Sequence, residues 1–417
     1  LATPPRAPRG YSAERALQRR RHRQRKAHHA DQPHTNIVAR LHHRDRDNVD
    51  EQRWTNGCAV RNMSSWLLIC LATAAALQPK QPRLRTAPFE PRGAPRLRRP
   101  HFDGWCARAT DQKTGASSSI IVGCFSPGRG RYAKHLVIVA ARLRAPDGNW
   151  VDRVDQQLYD DCECSLTVTK AKGPNFRFEA PSGFLQVAGS ELRAKFELDG
   201  VASDIATHTT TPWRPEGWLG SRYTRWLLPC RYEVQCTRSP GAADVAGGDA
   251  TWRGDALVHA EAQYGSAFPR AWRWIQATDE ETTLVATGGL FVIGPVTTRT
   301  WLCRYEVAGE VWSFRTTDPR TSATEESAPP RDDRPGTLRV VFRRKFRGET
   351  RTLELAATAP EATFSTPLYV PTRTGFARNP GSRESFAASV TATASVEGAI
   401  VDERTFEGAC LEFGGVE

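Results

Sequence analysis

The sequence has one methionine, Met63, and few histidines: of 10 in the chain, only His101, His135, His208 and His259 follow residue 100. No G-x-G-x-x-G follows a strand pattern, and there is no P-loop, G-x-S-x-G elbow or H-E-x-x-H. Dinucleotide, phosphate, acyl-transfer and zinc-hydrolase chemistries therefore have no basis in the motifs. Cys162-Glu163-Cys164 is the one close cysteine pair after the leader, and without a second pair at matching spacing it makes no zinc site. We assign no metal and no cofactor. The eight cysteines of this region permit disulfides but do not require them, because more than 300 residues can bury a core without staples. No window after the leader is apolar enough for a membrane span, and helical periodicity is nearly absent.

The body also lacks net charge. The chain carries 58 Lys and Arg against 46 Asp and Glu, a formal +12, but residues 1–62 hold 14 basic and 6 acidic groups and residues 63–100 hold 7 and 1. The remaining 37 and 39 nearly cancel, so nothing in the body predicts binding of nucleic acid. Residues 1–62, rich in Arg, His and Pro, read as upstream sequence ahead of a start at Met63 or as a disordered arm. Residues 63–78 read as a signal peptide, with an apolar run from Trp66 to Ala76 too short to span a bilayer. Residues 79–100 form a basic, proline-rich, transit-like segment whose one acid is Glu90. Together they resemble the bipartite presequence of algal secondary plastids, with secretion as the alternative. The mature protein is expected to be soluble or peripheral to a membrane or lipid-droplet surface.

The rest reads as strands with short turns. His135–Val139 precedes Pro146-Asp147-Gly148, and Leu192–Leu198 precedes Asp199-Gly200. Thr298–Val307 and Val311–Arg315 flank Ala308-Gly309, while Leu338–Phe346 and Thr350–Ala357 flank Arg347-Gly348. Thr283–Ile293 reads as a strand broken at Gly288-Gly289. This pattern predicts an all-β protein of closed or nearly closed antiparallel barrels. A Gly-, Ala- and Asp-rich break near Ser239–Ala250 divides it into a first unit, 101–245, and a second, 246–417; Asp318–Pro335 reads as a surface loop.

Glu261 to Pro295 is the densest block: Glu261, Gln263, Tyr264 and Gly265, then Phe268-Pro269, then Trp272, Trp274 and Gln276, on what reads as one hairpin. Strand alternation puts Trp272, Trp274 and Gln276 on one face and Arg273 and Ile275 on the other. Large aromatics at this spacing also suit a packed core.

The block resembles the tocopherol cyclase family, whose E-x-(N/Q)-(W/Y)-G-x-x-F-P-x-x-W-x-W-x-Q is filled here from Glu261 to Gln276, followed by Gly288-Gly289-Leu290. Phe102-Asp103-Gly104-Trp105 with Arg108, Pro367-Leu368 with Pro371-Thr372, and Leu411-Glu412-Phe413-Gly414-Gly415 resemble further motifs in the family's order. Tyr264, Asp103 and Cys106 depart from it. The resemblance implies two tandem lipocalin-like β units and a cofactor-free cyclisation of a hydrophobic prenyl hydroquinone. Protonation of the alkene would give a tertiary carbocation that the phenol oxygen captures, forming a chromanol.

That chemistry needs a proton donor kept uncharged by apolar surroundings. Glu261 is the first candidate and Asp103 the second; if Arg108 pairs with Asp103, then Asp103 is ionised. Tyr264, Trp272 and Trp274 are candidates to face the cation, and Gln263 and Gln276 to hold the ring oxygens. Phe268 and Trp105 complete the expected substrate-binding set. A non-catalytic binder of prenyl lipids and an isoprenoid double-bond hydratase are the alternatives.

Overall fold

The computed structural model describes residues 89–91, 99–128, 130–169, 174–208, 218–219, 229–293, 295–307 and 309–416. The proposed upstream arm, signal peptide and most of the transit-like segment lie outside the described residues. Within the unit Arg83–Glu417 the chain forms two large antiparallel sheets, one a half-barrel. The expected all-β class is what the chain adopts; the helical pieces among the described residues are two 3-10 turns, Asp161–Glu163 and Glu361–Thr363. No helix among them is long and apolar enough to cross a membrane.

The first sheet holds β1 (His101–Thr110), β2 (Ser117–Ser126), β3 (Lys134–Arg144), β4 (Trp150–Asp160), β5 (Ser165–Val168), β6 (Asn175–Ala180), β7 (Gly183–Ala188), β8 (Glu191–Leu198), β9 (Val201–Thr207), β10 (Trp218–Leu219), β11 (Cys230–Gly247) and β12 (Ala250–Gly265). The second holds β13 (Ala271–Thr278), β14 (Thr283–Ile293), β15 (Val296–Val307), β16 (Glu310–Arg315), β17 (Thr321–Ala328), β18 (Gly336–Phe346), β19 (Glu349–Ala359), β20 (Leu368–Pro371), β21 (Phe376–Val396) and β22 (Ala399–Gly415). In each sheet the late strands return to the early ones: β12 lies between β1 and β11, and β22 lies between β13 and β21.

Alternation decides what each face buries. In β3, Val137, Val139, Ala141 and Leu143 enter the core of the first sheet, with Phe176, Phe178 and Phe196. Leu136, Ile138 and Ala140, on the other face, meet residues of the second sheet. An unbroken apolar run is what a strand covered on both faces requires. The second sheet has its own core around Trp301, Phe314, Phe342, Leu353 and Leu355. Between the sheets, Tyr232 and Val234 pack with Trp274, Val285, Phe386 and Cys410.

Several expectations are corrected. The stretch 239–250 is no domain break; it lies in the long β11–β12 hairpin, and the chain changes sheets at residues 266–270. The block from Glu261 onward is accordingly no single hairpin, because β12 and β13 belong to different sheets. Phe268-Pro269 sits in the crossing, where a residue without a backbone N–H breaks the ladder. The stretch 318–335 contains a strand, β17, whose exposed polar positions hid its pairing with β18. β14 runs unbroken through Gly288-Gly289, since the Trp301 ring covers the space a Cβ on Gly288 would occupy. The body also begins earlier than residue 101. Phe89 is buried in the first core, its ring 6.3 Å from that of Phe176, and its carbonyl accepts the Trp105 indole N–H at 2.9 Å.

Candidate active site

A partly enclosed cavity of about 80 Å³ opens where the sheets face each other. The first sheet supplies Phe102, Cys106, Ile121, Leu136, Ile138, Glu261 and Gln263; the second supplies Trp274, Leu368, Tyr369, Phe376, Ser382, Glu384 and Glu412. Its apolar lining with a few convergent polar groups is the character of a small-molecule site. Gly123 leaves room for the Phe376 ring, which a Cβ there would touch at 2.9 Å. The strap β20 closes one side and is hooked to the first sheet by Gln156 of β4. That amide donates to the Pro367 carbonyl at 3.0 Å and accepts the Tyr369 N–H at 2.8 Å.

Glu261 is 2% exposed, so the expectation that it is withdrawn from solvent holds. Three polar side chains converge on its carboxyl. Gln263 Nε2 donates to Oε1 at 3.1 Å, His259 Nε2 lies 2.9 Å from Oε2, and the Tyr232 hydroxyl donates to Oε2. Trp274 Nε1 donates to the Tyr232 oxygen at 2.9 Å, which directs the hydroxyl hydrogen toward Glu261. Both carboxyl oxygens therefore accept a hydrogen bond.

Two further glutamates on the second sheet share the cavity. Glu384 and Glu412 are directly opposed across β21 and β22. Trp272 Nε1 donates to Glu412 Oε1 at 2.8 Å, and the Cys410 thiol donates to Glu384 Oε1 at 2.8 Å. Desolvation and the neighbouring Glu384 push the Glu412 carboxyl up to about 8, against the bonds from Trp272 and Ser382. Desolvation also raises Glu384, against Cys410 and Arg108. Glu412 keeps some accessible surface where it fronts the cavity. Burial also raises the Cys106 thiol, whose residue is paired with Glu261 across β1 and β12.

The candidate residues divide by strand face. Glu261, Gln263, Phe268 and Trp274 line the cavity. Phe268 stacks edge-on against Phe102 at 5.1 Å and Trp272 at 5.0 Å. Trp272 and Gln276 share the face of Trp274 as expected, but they act around the cavity rather than in its wall. The indole of Trp272 lies over Gly414 and holds Glu412. Gln276 Oε1 accepts from Arg108, whose guanidinium also donates to the Gly408 carbonyl at 2.8 Å and sits 5.2 Å from the Phe386 ring centroid. Tyr264 alternates away from Glu261, and its hydroxyl donates to Glu233.

Asp103 and Trp105 border the cavity from β1, but they alternate with Phe102 and Cys106 and face the first core. Trp105 packs on Phe176 at 5.0 Å. Asp103 accepts from the Tyr132 hydroxyl at 2.5 Å and lies 3.4 Å from His101 Nε2. The expected Arg108–Asp103 pair does not form, because five residues along a strand put the two on opposite faces.

Sequence reasoning gave no role to His259, Glu384 or Glu412. Cys410, Glu412 and Gly414 share one face of β22, and an acid between Leu411 and Phe413 in a buried strand was the available signal. Nothing in the pattern around Glu384 marks it.

What fold and cavity define is a two-sheet lipocalin-like protein with an acid-bearing chamber between the sheets. Among solved structures, that of CghA with Sch210972 is similar, with a TM-score of 0.50, 11% identity, and coverage of 80% of this chain and 97% of that one. A Nitrosomonas europaea protein provisionally named AttH gives 0.47 and 12%, covering 81% and 98%. Kievitone hydratase from Nectria haematococca gives 0.44 and 11%, covering 75% and 88%. The likeness to CghA establishes the fold. No family model matches the chain, and no curated protein matches it in sequence.

Proposed function

We propose that the protein is an enzyme that cyclises an apolar unsaturated substrate by internal proton transfer, with a prenylated hydroquinone closing to a chromanol as the specific reaction. The observation that carries this reading is the meeting, in one apolar cavity, of two carboxyls in different settings: Glu412, opposed to Glu384 and pushed up by burial, and Glu261, which accepts from Tyr232 and Gln263. Glu412 gives its proton to the alkene, and the π bond breaks as the new C–H bond forms. Trp274 and Phe268 offer ring faces to the tertiary cation; each such contact contributes on the order of 0.5–2 kcal/mol when desolvated. The substrate hydroxyl then bonds to the cationic carbon and loses its proton to Glu261. Holding hydroxyl and cation together makes the capture intramolecular.

The test is incubation of purified protein with a phytyl hydroquinone and analysis of the product by mass. A product isomeric with the substrate supports cyclisation, and a gain of one water identifies a hydratase. Glu412→Gln and Glu261→Gln should each lower kcat by about 10²–10⁴-fold while ligand still quenches the indole fluorescence. Binding without turnover in the wild-type protein would leave a lipid carrier and overturn the enzymatic reading.

A further inference from the structure

Resting on that reaction, one step is still unaccounted for. Each cyclisation takes a proton from Glu412 and deposits one on Glu261, so substrate and product are isomers while the protein ends with its two carboxyls in reversed states. Glu261 stands on the first sheet and Glu412 on the second. Both oxygens of Glu261 are engaged by Tyr232, His259 and Gln263, and Oε1 of Glu412 is engaged by Trp272. A second turnover requires Glu412 to regain a proton and Glu261 to lose one.

We propose that Glu384 is the proton-returning residue, taking the proton from Glu261 and passing it to Glu412 between turnovers. Glu384 lines the same cavity as both partners and is only 6% exposed. It is the Cα partner of Glu412 across antiparallel strands, which places the two Cβ atoms about 4.5–5.5 Å apart on one face. Electrostatic coupling links it to both carboxyls: Glu261 raises Glu384, and Glu384 raises Glu412. The groups around it suit a transient carrier. The Cys410 thiol donates to Oε1, which leaves Oε2 for the travelling proton. Arg108, the nearby cation, lowers the Glu384 carboxyl through space, while its two terminal nitrogens bond Gln276 and Gly408. The Cys410 and Cys106 thiols are both raised by burial and so stay protonated. In the return, an O–H bond on Glu261 breaks as one on Glu384 forms, and that bond breaks as the O–H of Glu412 is restored. No other reactant is needed.

Glu384→Gln should make one product per protein and then stall, its first turnover being compared with its own later ones. Rapid-quench analysis with substrate in excess would show a burst of one product per protein and a steady-state rate at least about tenfold lower. Glu384→Asp keeps a carboxyl and should sustain repeated turnover, and near-ultraviolet circular dichroism checks that both variants keep their packing. A Glu384→Gln steady state within threefold of wild type, a first turnover as slow as the later ones, or a stall in Glu384→Asp would each overturn the assignment. Those outcomes leave the cyclisation itself standing, whereas wild-type protein that makes no product sinks both.

Discussion

Replacing Glu412 by glutamine should change how stability depends on pH. The carboxyl lies at about 8 in the folded protein against an ordinary 4.5, so between those values the native state keeps a proton that the unfolded chain has released. Stability then falls as pH rises, by at most about 1.4 kcal/mol per unit. Over the full interval the limit is about 5 kcal/mol; access to water through the cavity reduces this, and a loss of about 2–4 kcal/mol between pH 5 and pH 8 is expected. Glutamine cannot ionise, yet its carbonyl can still accept the Trp272 indole N–H. The variant should match the wild-type protein near pH 5 and exceed it at pH 8. Urea unfolding of both proteins at pH 5, 6, 7 and 8 measures this directly. A difference that stays constant across the four pH values would refute the claim that Glu412 folds with its proton.

Phe89→Ala removes a ring from the first core and an anchor beside Trp105; a loss of about 3–5 kcal/mol in urea unfolding is expected, and no loss would place Phe89 outside the folded body. Gly414→Ala forces a Cβ into the Trp272 indole. It should cost about 1–3 kcal/mol and reduce turnover by releasing Glu412, as read by melting temperature and initial rate. Gln156→Ala unhooks the strap β20 and should speed ligand exchange severalfold in stopped-flow fluorescence, with little effect on the melting temperature.

Much of the fold was legible because turn chemistry is local. Pro146-Asp147-Gly148, Asp199-Gly200 and Arg347-Gly348 each mark a reversal that the structure contains, with Gly148, Gly200 and Gly348 at positive φ. The sheet change was misplaced because glycine and alanine around 239–250 look like a linker when they are small residues in a closely packed strand: a Cβ on Gly241 would collide with the Ala206 carbonyl. Within the site, alternation correctly grouped Trp272, Trp274 and Gln276. It could not reveal that Gln276 is occupied by Arg108, nor that Tyr264 turns its back on Glu261, because the motif was read as one surface. Glu384 and Glu412 escaped notice for a different reason: their meeting with Glu261 depends on the docking of two sheets, which no local pattern encodes.

The five residues that carry the chain from one sheet to the other have a wider consequence. Glu261 and Trp274 are only 13 residues apart in sequence but belong to separate halves of the molecule, so the chamber exists only after both halves have folded and met. A polypeptide severed between Gly265 and Ala271 would leave Glu261 on one fragment and Glu412 on the other, with no chamber until the fragments reassociate.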